Sequence, residues 1–394
     1  MRPLRIAMLT YSLRPRGGVV HALEISDALA RRGHEVELMA LGPPGASFFR
    51  LPPVPTRIVR HEPIEAPFDE RVMAMLGAYR DGLARPLADG AFDLIHAQDC
   101  LSANAALELR DAGLIAHVIR TVHHVDDFVS RSLIECQDRS ISGPDAVLCV
   151  SEPWINRLRR EYGVSAELVR NGVDTRRYRP ARDASERRRD RDVLGLGDRF
   201  TVMTVGGIEP RKGSLTLLEG FATLCELAPQ HDPLLIVAGG ATLFDYRHEA
   251  DRFHARLAEL DLERRVRMLG SLPDGQIEAL YRAADVFAFP STKEGFGLAA
   301  LEALASGLPV VASELEAFTT YLEHGRNALL VPVGDGRALG RALAELALGG
   351  RRRALREAGL RTAAEYTWDR AAAAHERVYR KLLSAVATAG AGRA

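Results

Sequence analysis

Two glutamates flank a pair of glycines in residues 290–302, and this spacing is suited to binding an anion. The apolar run 285–289 before them predicts a buried strand, and the run 298–305 after them predicts a helix. Free backbone N–H groups at such a helix start, together with the helix dipole, attract an anion. Glu294 and Glu302 can accept hydrogen bonds from hydroxyl groups on either side of it. A nucleotide sugar, with phosphates between two polyols, fits this combination.

A second glycine-rich loop follows the apolar run 201–205. Gly206 opens this loop, Arg211 and Lys212 lie near its end, and a helix-like segment comes next. The planar guanidinium of Arg211 suits a phosphate group, although a solvent-facing loop charge is an equally good interpretation. The order of strand, glycine-rich loop, cation and helix therefore predicts a second element of an anion site.

The first half of the chain opens with a comparable unit. A strand at 4–9 leads through Gly17 and Gly18 to a helix and another strand, which is typical of a nucleotide-binding fold. Taken alone, a glycine pair more often marks a tight turn. His123 follows the apolar run 118–122, where the carboxyl ends of parallel strands place ligands. A structural histidine at a strand end is the alternative interpretation.

Short apolar runs alternate with helix-like segments in both halves, which predicts an α/β protein with mostly parallel sheets covered by helices on both faces. The segment 182–199 contains many arginines together with Asp and Glu residues. Because the charges of opposite sign are interspersed, a solvated linker is a better interpretation than a nucleic-acid patch.

Composition excludes several classes of function. The chain has 394 residues, enough for two or more domains, and its 52 Lys+Arg balance its 52 Asp+Glu. We therefore expect no nucleic-acid partner. Four cysteines without metal or disulfide spacing favour a reducing cytoplasm. We expect neither a signal peptide nor a transmembrane segment.

The string from Glu294 to Glu302 resembles the E-x7-E signature of the retaining GT-B glycosyltransferases of family 4, in a little-characterised bacterial branch. Gly295, Phe296, Gly297 and Leu298 follow the first glutamate, and 307–312 extend the match. The resemblance covers nearly the whole chain. It implies an α/β GT-B fold with two Rossmann-like doubly wound domains facing across a cleft. The expected domains are residues 1–180 on the acceptor side and 195–375 on the nucleotide-sugar side, with a C-terminal helix at about 376–390 packing back on the first.

The resemblance also implies the reaction: transfer of a hexosyl group from a nucleotide diphosphate sugar to an acceptor hydroxyl, with retention and without a metal or other cofactor. It assigns catalytic roles to His123, Lys212 and Glu294, with His124 as a rival to the first. The donor-binding residues that it implies are Gly17, Gly18, Gly206, Arg211, Lys212, Glu294, Gly295, Phe296, Gly297, Leu298 and Glu302. Members of the family usually carry an arginine where this chain has Gly207, and Arg211 is the nearest replacement.

Three other classes of function share some of these sequence features. A nucleotide-sugar epimerase could use the same fold, and a non-catalytic nucleotide-sugar-binding subunit would be compatible with Gly207. A nicotinamide-dependent oxidoreductase is disfavoured, because Gly17 and Gly18 lack the G-x-G-x-x-G spacing. The acceptor is not identified by any motif, and the sequence leaves room for peripheral contact with a membrane.

Overall fold

The computed structural model describes residues 2–240, 246–273 and 275–391 and divides the chain into two compact units. Unit 1 comprises Met1–Gly172 and Trp368–Ala394, and unit 2 comprises Val173–Thr367. Each unit is built on its own parallel sheet.

Unit 1 contains a seven-stranded sheet of order β3-β2-β1-β4-β5-β6-β7. All its described strand pairs are parallel. With labels in chain order, its strands are β1 Arg5–Thr10, β2 Glu35–Gly42, β3 Thr56–Arg60, β4 Leu94–Ala97, β5 Val118–Val122, β6 Ala146–Cys149 and β7 Ala166–Leu168. Its helices are α1 Gly17–Arg31, α2 Phe68–Asp89, α3 Cys100–Asp111, α4 Arg131–Ser142, α5 Glu152–Tyr162 and α14 Trp368–Ala391.

Unit 2 contains a six-stranded sheet of order β10-β9-β8-β11-β12-β13, again with all described pairs parallel. Its strands are β8 Thr201–Val205, β9 Leu234–Ala238, β10 Val266–Gly270, β11 Val286–Phe289, β12 Val310–Ser313 and β13 Leu329–Val331. Its helices are α6 Ala184–Val193, α7 Ser214–Leu227, α8 Arg247–Glu259, α9 Gln276–Ala283, α10 Leu298–Ala305, α11 Glu316–Thr319, α12 Gly336–Ala347 and α13 Arg352–Glu365. Single 3-10 turns cover Pro210–Lys212 and Pro229–His231.

The central strands are almost wholly apolar because helices cover both faces of each sheet. In β11 all four side chains are buried, and in β9 all five are. Such runs carry no alternation, yet their brevity and their glycine-rich borders distinguish them from helices. The predicted α/β class with two Rossmann-like parallel-sheet units is confirmed.

The strand order places a topological switch point in each unit. In unit 1 the order reverses between β1 and β4, and in unit 2 between β8 and β11. Ligands of open α/β sheets bind outside the carboxyl ends of the strands at such a point. In unit 2 this point is bordered by the loops after β8 and β11.

The boundaries of the two units differ from those predicted. Unit 2 begins at Val173 rather than after residue 180, and the Val173 N–H donates to the carbonyl of Tyr366, 3.0 Å away within the same unit. The C-terminal helix begins at Trp368 rather than at about 376, and it packs against α1 of unit 1. An ion pair between Arg32 and Glu376, 2.8 Å apart, ties the two helices together.

The segment 182–199 is not a solvated linker, and that prediction was wrong. Ala184–Val193 forms helix α6, whose N-terminus is capped by the side chain of Asp183. The guanidinium of Arg191 is buried and donates to backbone carbonyls of Gly197, Ala283 and Arg199. The charges are therefore used in packing, which their alternating signs alone do not indicate.

No helix in the described part of the chain is long and apolar enough to cross a membrane.

Candidate functional site

The loop between β11 and α10 is held in one conformation by aromatic packing. Gly297 adopts φ 90° at the start of α10, and a Cβ there would lie 2.5 Å from Phe318. The Phe296 ring is buried and stacks on Tyr321 with their centroids 4.9 Å apart. The Tyr321 hydroxyl donates to the Gly297 carbonyl at 2.9 Å. Only glycine fits this position, which explains the second glycine of the predicted motif.

Lys212 and Glu294 meet although 82 residues separate them. The Lys212 ammonium lies 2.5 Å from Oε1 of Glu294 and 5.0 Å from the centroid of the Phe289 ring. The same carboxylate oxygen accepts from the Ser291 hydroxyl at 3.1 Å. Because β8 and β11 are neighbours, the loops after them bring the predicted cation and carboxylate into one ion pair. Both side chains are mostly buried.

Glycines allow the two loops to approach this closely. Gly213 has φ 65°, and a Cβ there would lie 2.0 Å from the carbonyl oxygen of Pro290. Gly206 has φ 146°, and a Cβ there would lie 3.3 Å from the Lys212 side chain. Any other residue at Gly213 would force the loops apart, so the position of Lys212 beside Glu294 depends on it.

Arg211 lies beside the same pair. Its Nε is 2.8 Å from Oε2 of Glu209, and its Nη1 is 3.5 Å from Oε1 of Glu294. Its carbonyl also accepts the Thr292 N–H at 2.8 Å. The side chain is one-third exposed, so it is paired with carboxylates at the loop rather than extended into solvent. Its proposed replacement of the arginine missing at Gly207 stays a prediction.

Glu302 lies one turn into α10 and is oriented by a tyrosine. The Tyr281 hydroxyl donates to Oε2 of Glu302 at 3.0 Å. Burial, and next to it the negative charge of Glu302, raise the pKa of Tyr281 well above its usual range. The phenol is therefore protonated and acts as a donor. The sequence did not predict a role for Tyr281, because an aromatic residue in helix α9 is expected to pack in the core.

In unit 1, Gly18 and His123 are in contact. Gly17 and Gly18 are the first residues of α1, and a Cβ on Gly18 would lie 3.4 Å from Cδ2 of His123. His123 follows β5, and its Nε2 lies 3.0 Å from Oε1 of Gln98 at the end of β4. Burial lowers the pKa of His123 to about 3. The imidazole is therefore neutral, and with Nε2 donating to Gln98, Nδ1 is an acceptor.

His124, the rival candidate, has a different environment. Its Nε2 lies 3.3 Å from Oδ1 of Asp126, and 38% of its side chain is exposed. Gln98, which fixes His123, was missed in the sequence, because its partner lies 25 residues away on another strand.

Three more histidines form a buried cluster next to His123 that the sequence did not predict. His21, His96 and His375 have no exposed surface, and the rings of His21 and His375 lie 5.5 Å apart, as do those of His96 and His375. His96 bonds to the Tyr379 hydroxyl at 2.6 Å and to Thr121 at 2.8 Å. Burial lowers the pKa of His21 and His96 well below the usual value and that of His375 to about 4.

Among the described residues, no group of three or more His, Cys, Asp and Glu side chains could hold a metal ion. The polar groups described at the loops of unit 2 include the cations Arg211 and Lys212 and the carboxylates Glu209, Glu294 and Glu302. This arrangement can bind an anionic group beside hydroxyl-bearing rings.

Comparisons with known proteins agree with this geometry. The family described as "Glycosyl transferases group 1" matches residues 186–361, and that described as "Glycosyltransferase Family 4" matches residues 15–177. A D-inositol 3-phosphate glycosyltransferase 2 from Catenulispora acidiphila is 31% identical, with 96% of this chain and 95% of that protein covered.

Solved structures show the same fold at lower identity. The sucrose-phosphate synthase of Thermosynechococcus elongatus is 22% identical with a TM-score of 0.82, covering 97% of this chain and 100% of that one. Anabaena HepE, in complex with UDP-glucose, is 19% identical with a TM-score of 0.75, covering 98% and 100%. The predicted family is thereby confirmed. The chain belongs to the group 1 glycosyltransferases of family 4 and has their GT-B fold of two Rossmann-like units.

Proposed function

We propose that this glycosyltransferase moves a hexosyl group from a nucleotide diphosphate sugar to an acceptor hydroxyl, with retention of configuration and without a metal ion. The observation that carries the proposal is the pairing of Lys212 with Glu294 at the anion-binding start of α10. A carboxylate held in place beside an ammonium offers the two contacts that a sugar diphosphate needs.

In the proposed reaction the bond between the sugar anomeric carbon and the diphosphate oxygen breaks, and its electron pair stays with the diphosphate. Lys212 stabilises the negative charge that develops there, aided by Arg211 and the helix N-terminus. The acceptor oxygen bonds to the anomeric carbon from the face that the diphosphate leaves, and the departing phosphate takes the acceptor proton. Because the charge is balanced by protein groups, no metal ion is needed.

The carboxylates have separate roles in this proposal. When the diphosphate binds, it replaces Glu294 as the partner of Lys212. Glu294 can then accept hydrogen bonds from hydroxyls of the transferred sugar. Glu302, oriented by the Tyr281 hydroxyl, accepts from the ribose. For His123, the family resemblance supports contact with a hydroxyl of the sugar, and its neutral imidazole with Nδ1 as an acceptor suits that role.

The donor and acceptor classes follow from the relatives only as proposals. HepE was solved with UDP-glucose, and the curated relatives are named for an inositol phosphate acceptor. We therefore propose UDP-glucose as the first donor to test and a phosphorylated polyol as the first acceptor. We also propose a cytoplasmic location, which the four unpaired cysteines support.

A two-stage experiment tests the proposal. Calorimetry with a panel of nucleotide diphosphates and their sugars identifies the donor, because a ligand bound to the native protein raises its stability by mass action. The donor is then incubated with phosphorylated and unphosphorylated polyols, and proton NMR of the product reads the anomeric configuration. An inverted product would contradict retention. Formation of an isomeric nucleotide sugar without an acceptor would identify an epimerase, and tight binding without any turnover would identify a non-catalytic subunit.

A further inference from the structure

An arginine-rich pocket of about 340 Å³ lies in unit 2 and takes no part in the site described above. Four guanidinium groups and two aromatic rings contribute to its lining: Arg187, Arg188, Arg191, Arg352, Phe200 and His231. Its volume is at the lower end of the range of about 300–1,000 Å³ that is usual for small-molecule sites.

The pocket lies at the amino ends of the strands of unit 2, opposite the carboxyl ends that carry the glycosyltransferase loops. Phe200 directly precedes β8, and Asp285 directly precedes β11, so both stand at the amino ends of these strands. Gly206 and the loop with Glu294 follow the carboxyl ends of the same two strands. A strand of five residues spans roughly 16 Å, so a ligand in the pocket would not touch the donor loops.

One carboxylate orders the cationic lining. Asp285 accepts from Arg187 at 2.8 Å, from Arg191 at 3.3 Å and from the Thr201 N–H at 2.8 Å. Four arginines face two lining carboxylates, Asp285 and Asp198, which leaves a formal charge of 4 − 2 = +2. The pocket therefore has an excess of positive charge that Asp285 does not balance.

Two of the guanidinium groups can donate hydrogen bonds to an added anion. Arg352 lies over the Phe200 ring at 5.6 Å, and its Nη1 is 3.8 Å from Asp285, too far for a hydrogen bond. Within the described ranges, its guanidinium N–H groups donate to no other group. Arg188 pairs with Asp192 and Asp198, whose side chains are 59% and 90% exposed. Such surface pairs contribute little, so an anion can displace them.

We propose that this pocket binds a phosphate dianion, either free or as the phosphate group of a small metabolite. A guanidinium fork matches two phosphate oxygens, and Arg188 and Arg352 come from different helices, so they can hold separate oxygens. The His231 ring is partly exposed and offers a surface for an organic group beside the phosphate, whereas the Phe200 ring is only 5% exposed and lies beneath Arg352. The pocket would then be a second ligand site, joined to the donor loops through β8 and β11.

Isothermal titration calorimetry with inorganic phosphate and phenyl phosphate tests this. The full-length protein carries Lys212→Ala in all titrations, so that phosphate binding at the donor loops is weakened, and sodium chloride keeps the ionic strength constant. We expect saturable binding to one site, weakened about tenfold or more by Arg352→Gln and likewise by Arg188→Gln, since each removes a charge-assisted contact. Tighter binding of phenyl phosphate would identify a metabolite as the ligand, and equal binding would identify free phosphate.

The matched control is Arg341→Gln, which removes an equal charge from the exposed surface of α12 away from the pocket. Binding should be unchanged in this variant. Absence of saturable binding in the Lys212→Ala protein would overturn the proposal. So would an equal loss in Arg341→Gln and Arg352→Gln, which would show binding to net charge alone. Because Arg188 and Arg352 are both partly exposed, their variants should fold, and circular dichroism checks this.

Discussion

Mild acid should destabilise unit 1 through its buried histidines. His21, His96 and His375 are neutral in the folded protein because burial lowers their pKa values. In the unfolded chain each imidazole has a pKa of about 6.5 and takes up a proton below that pH. The unfolded state therefore binds more protons, and the free energy of unfolding falls as the pH drops. This contribution is complete above pH 6.5 and declines towards the folded pKa, about 4 for His375.

The size of the effect can be worked out for one residue. At pH 5.5 an unfolded imidazole is about ten times more often protonated than neutral, so a histidine that stays neutral when folded loses about 1.4 kcal/mol of stabilisation. The three histidines of the cluster and His123, whose folded pKa is about 3, would together lose roughly 5–6 kcal/mol, a large part of the 5–15 kcal/mol that is typical of a domain. A carboxylate whose pKa is lowered by folding, such as Glu376 at about 2, changes the free energy of unfolding only when the pH falls to the ordinary carboxylate pKa. It therefore contributes little between pH 6.5 and 5.5.

Tryptophan fluorescence isolates this unit. The chain has two tryptophans, Trp154 and Trp368, and both belong to unit 1. The Trp368 ring lies 5.4 Å from His21, so its emission also reports the cluster itself. Urea titrations followed by tryptophan emission at pH 7.5 and 5.5 give the loss of unfolding free energy directly.

Two variants decide whether the histidines are responsible. His375→Gln removes one titrating group, so the loss between the two pH values should shrink by about 1.4 kcal/mol, whatever its stability at pH 7.5. Tyr379→Phe removes the hydroxyl bonded to His96 but no titrating imidazole, so it should lower stability at both pH values and keep the difference. An unchanged urea midpoint between pH 7.5 and 5.5 in the parent protein would refute the reasoning, as would a full pH loss in His375→Gln.

The remaining predictions concern the glycosyl transfer. Lys212→Ala should lower kcat/KM at least about tenfold, roughly 1.4 kcal/mol, because it removes the charge-assisted contact to the leaving diphosphate; steady-state kinetics on the folded variant would contradict this if turnover were unchanged. Glu302→Gln should weaken nucleotide diphosphate and full donor by similar factors, whereas Glu294→Gln should spare the plain nucleotide and impair the donor and kcat; calorimetry showing the reverse would exchange the two assignments. Tyr281→Phe should reproduce the Glu302→Gln pattern more weakly, since it only releases that carboxylate, and a larger effect on kcat than on donor affinity would speak against it. Activity should survive exhaustive EDTA treatment, and a loss restored by Mg²⁺ or Mn²⁺ would show a metal-dependent reaction.

Local signals explain what could be predicted from the sequence. The strands at 286–289 and 201–205 are apolar runs that each lead into a glycine-containing loop, and they appear in the structure at those residues. The contact between Lys212 and Glu294 could not be read from spacing, because it depends on β8 and β11 being neighbours. Resemblance to the family gave that pairing indirectly, by assigning both residues to one ligand.

Long-range polar contacts account for what was missed. His96 is bonded to Tyr379, 283 residues away, and His21 to Asn171, 150 residues away. No periodicity in the sequence connects such residues. The error at α6 has the same origin, since Arg191 looks like a surface charge until its acceptors at Ala283 and Asp285 are brought to it by the fold.

In the two proposals made above, the two ends of β8 and β11 serve two kinds of anion contact. At the carboxyl ends, glycines at 206 and 213 remove side chains so that Lys212 reaches Glu294. At the amino ends, Asp285 instead draws arginines from α6 together. The first arrangement is built from backbone freedom and a single ammonium, which suits a substrate that must leave after each turnover. The second is built from ordered guanidinium groups, which suits a ligand that is held rather than transformed.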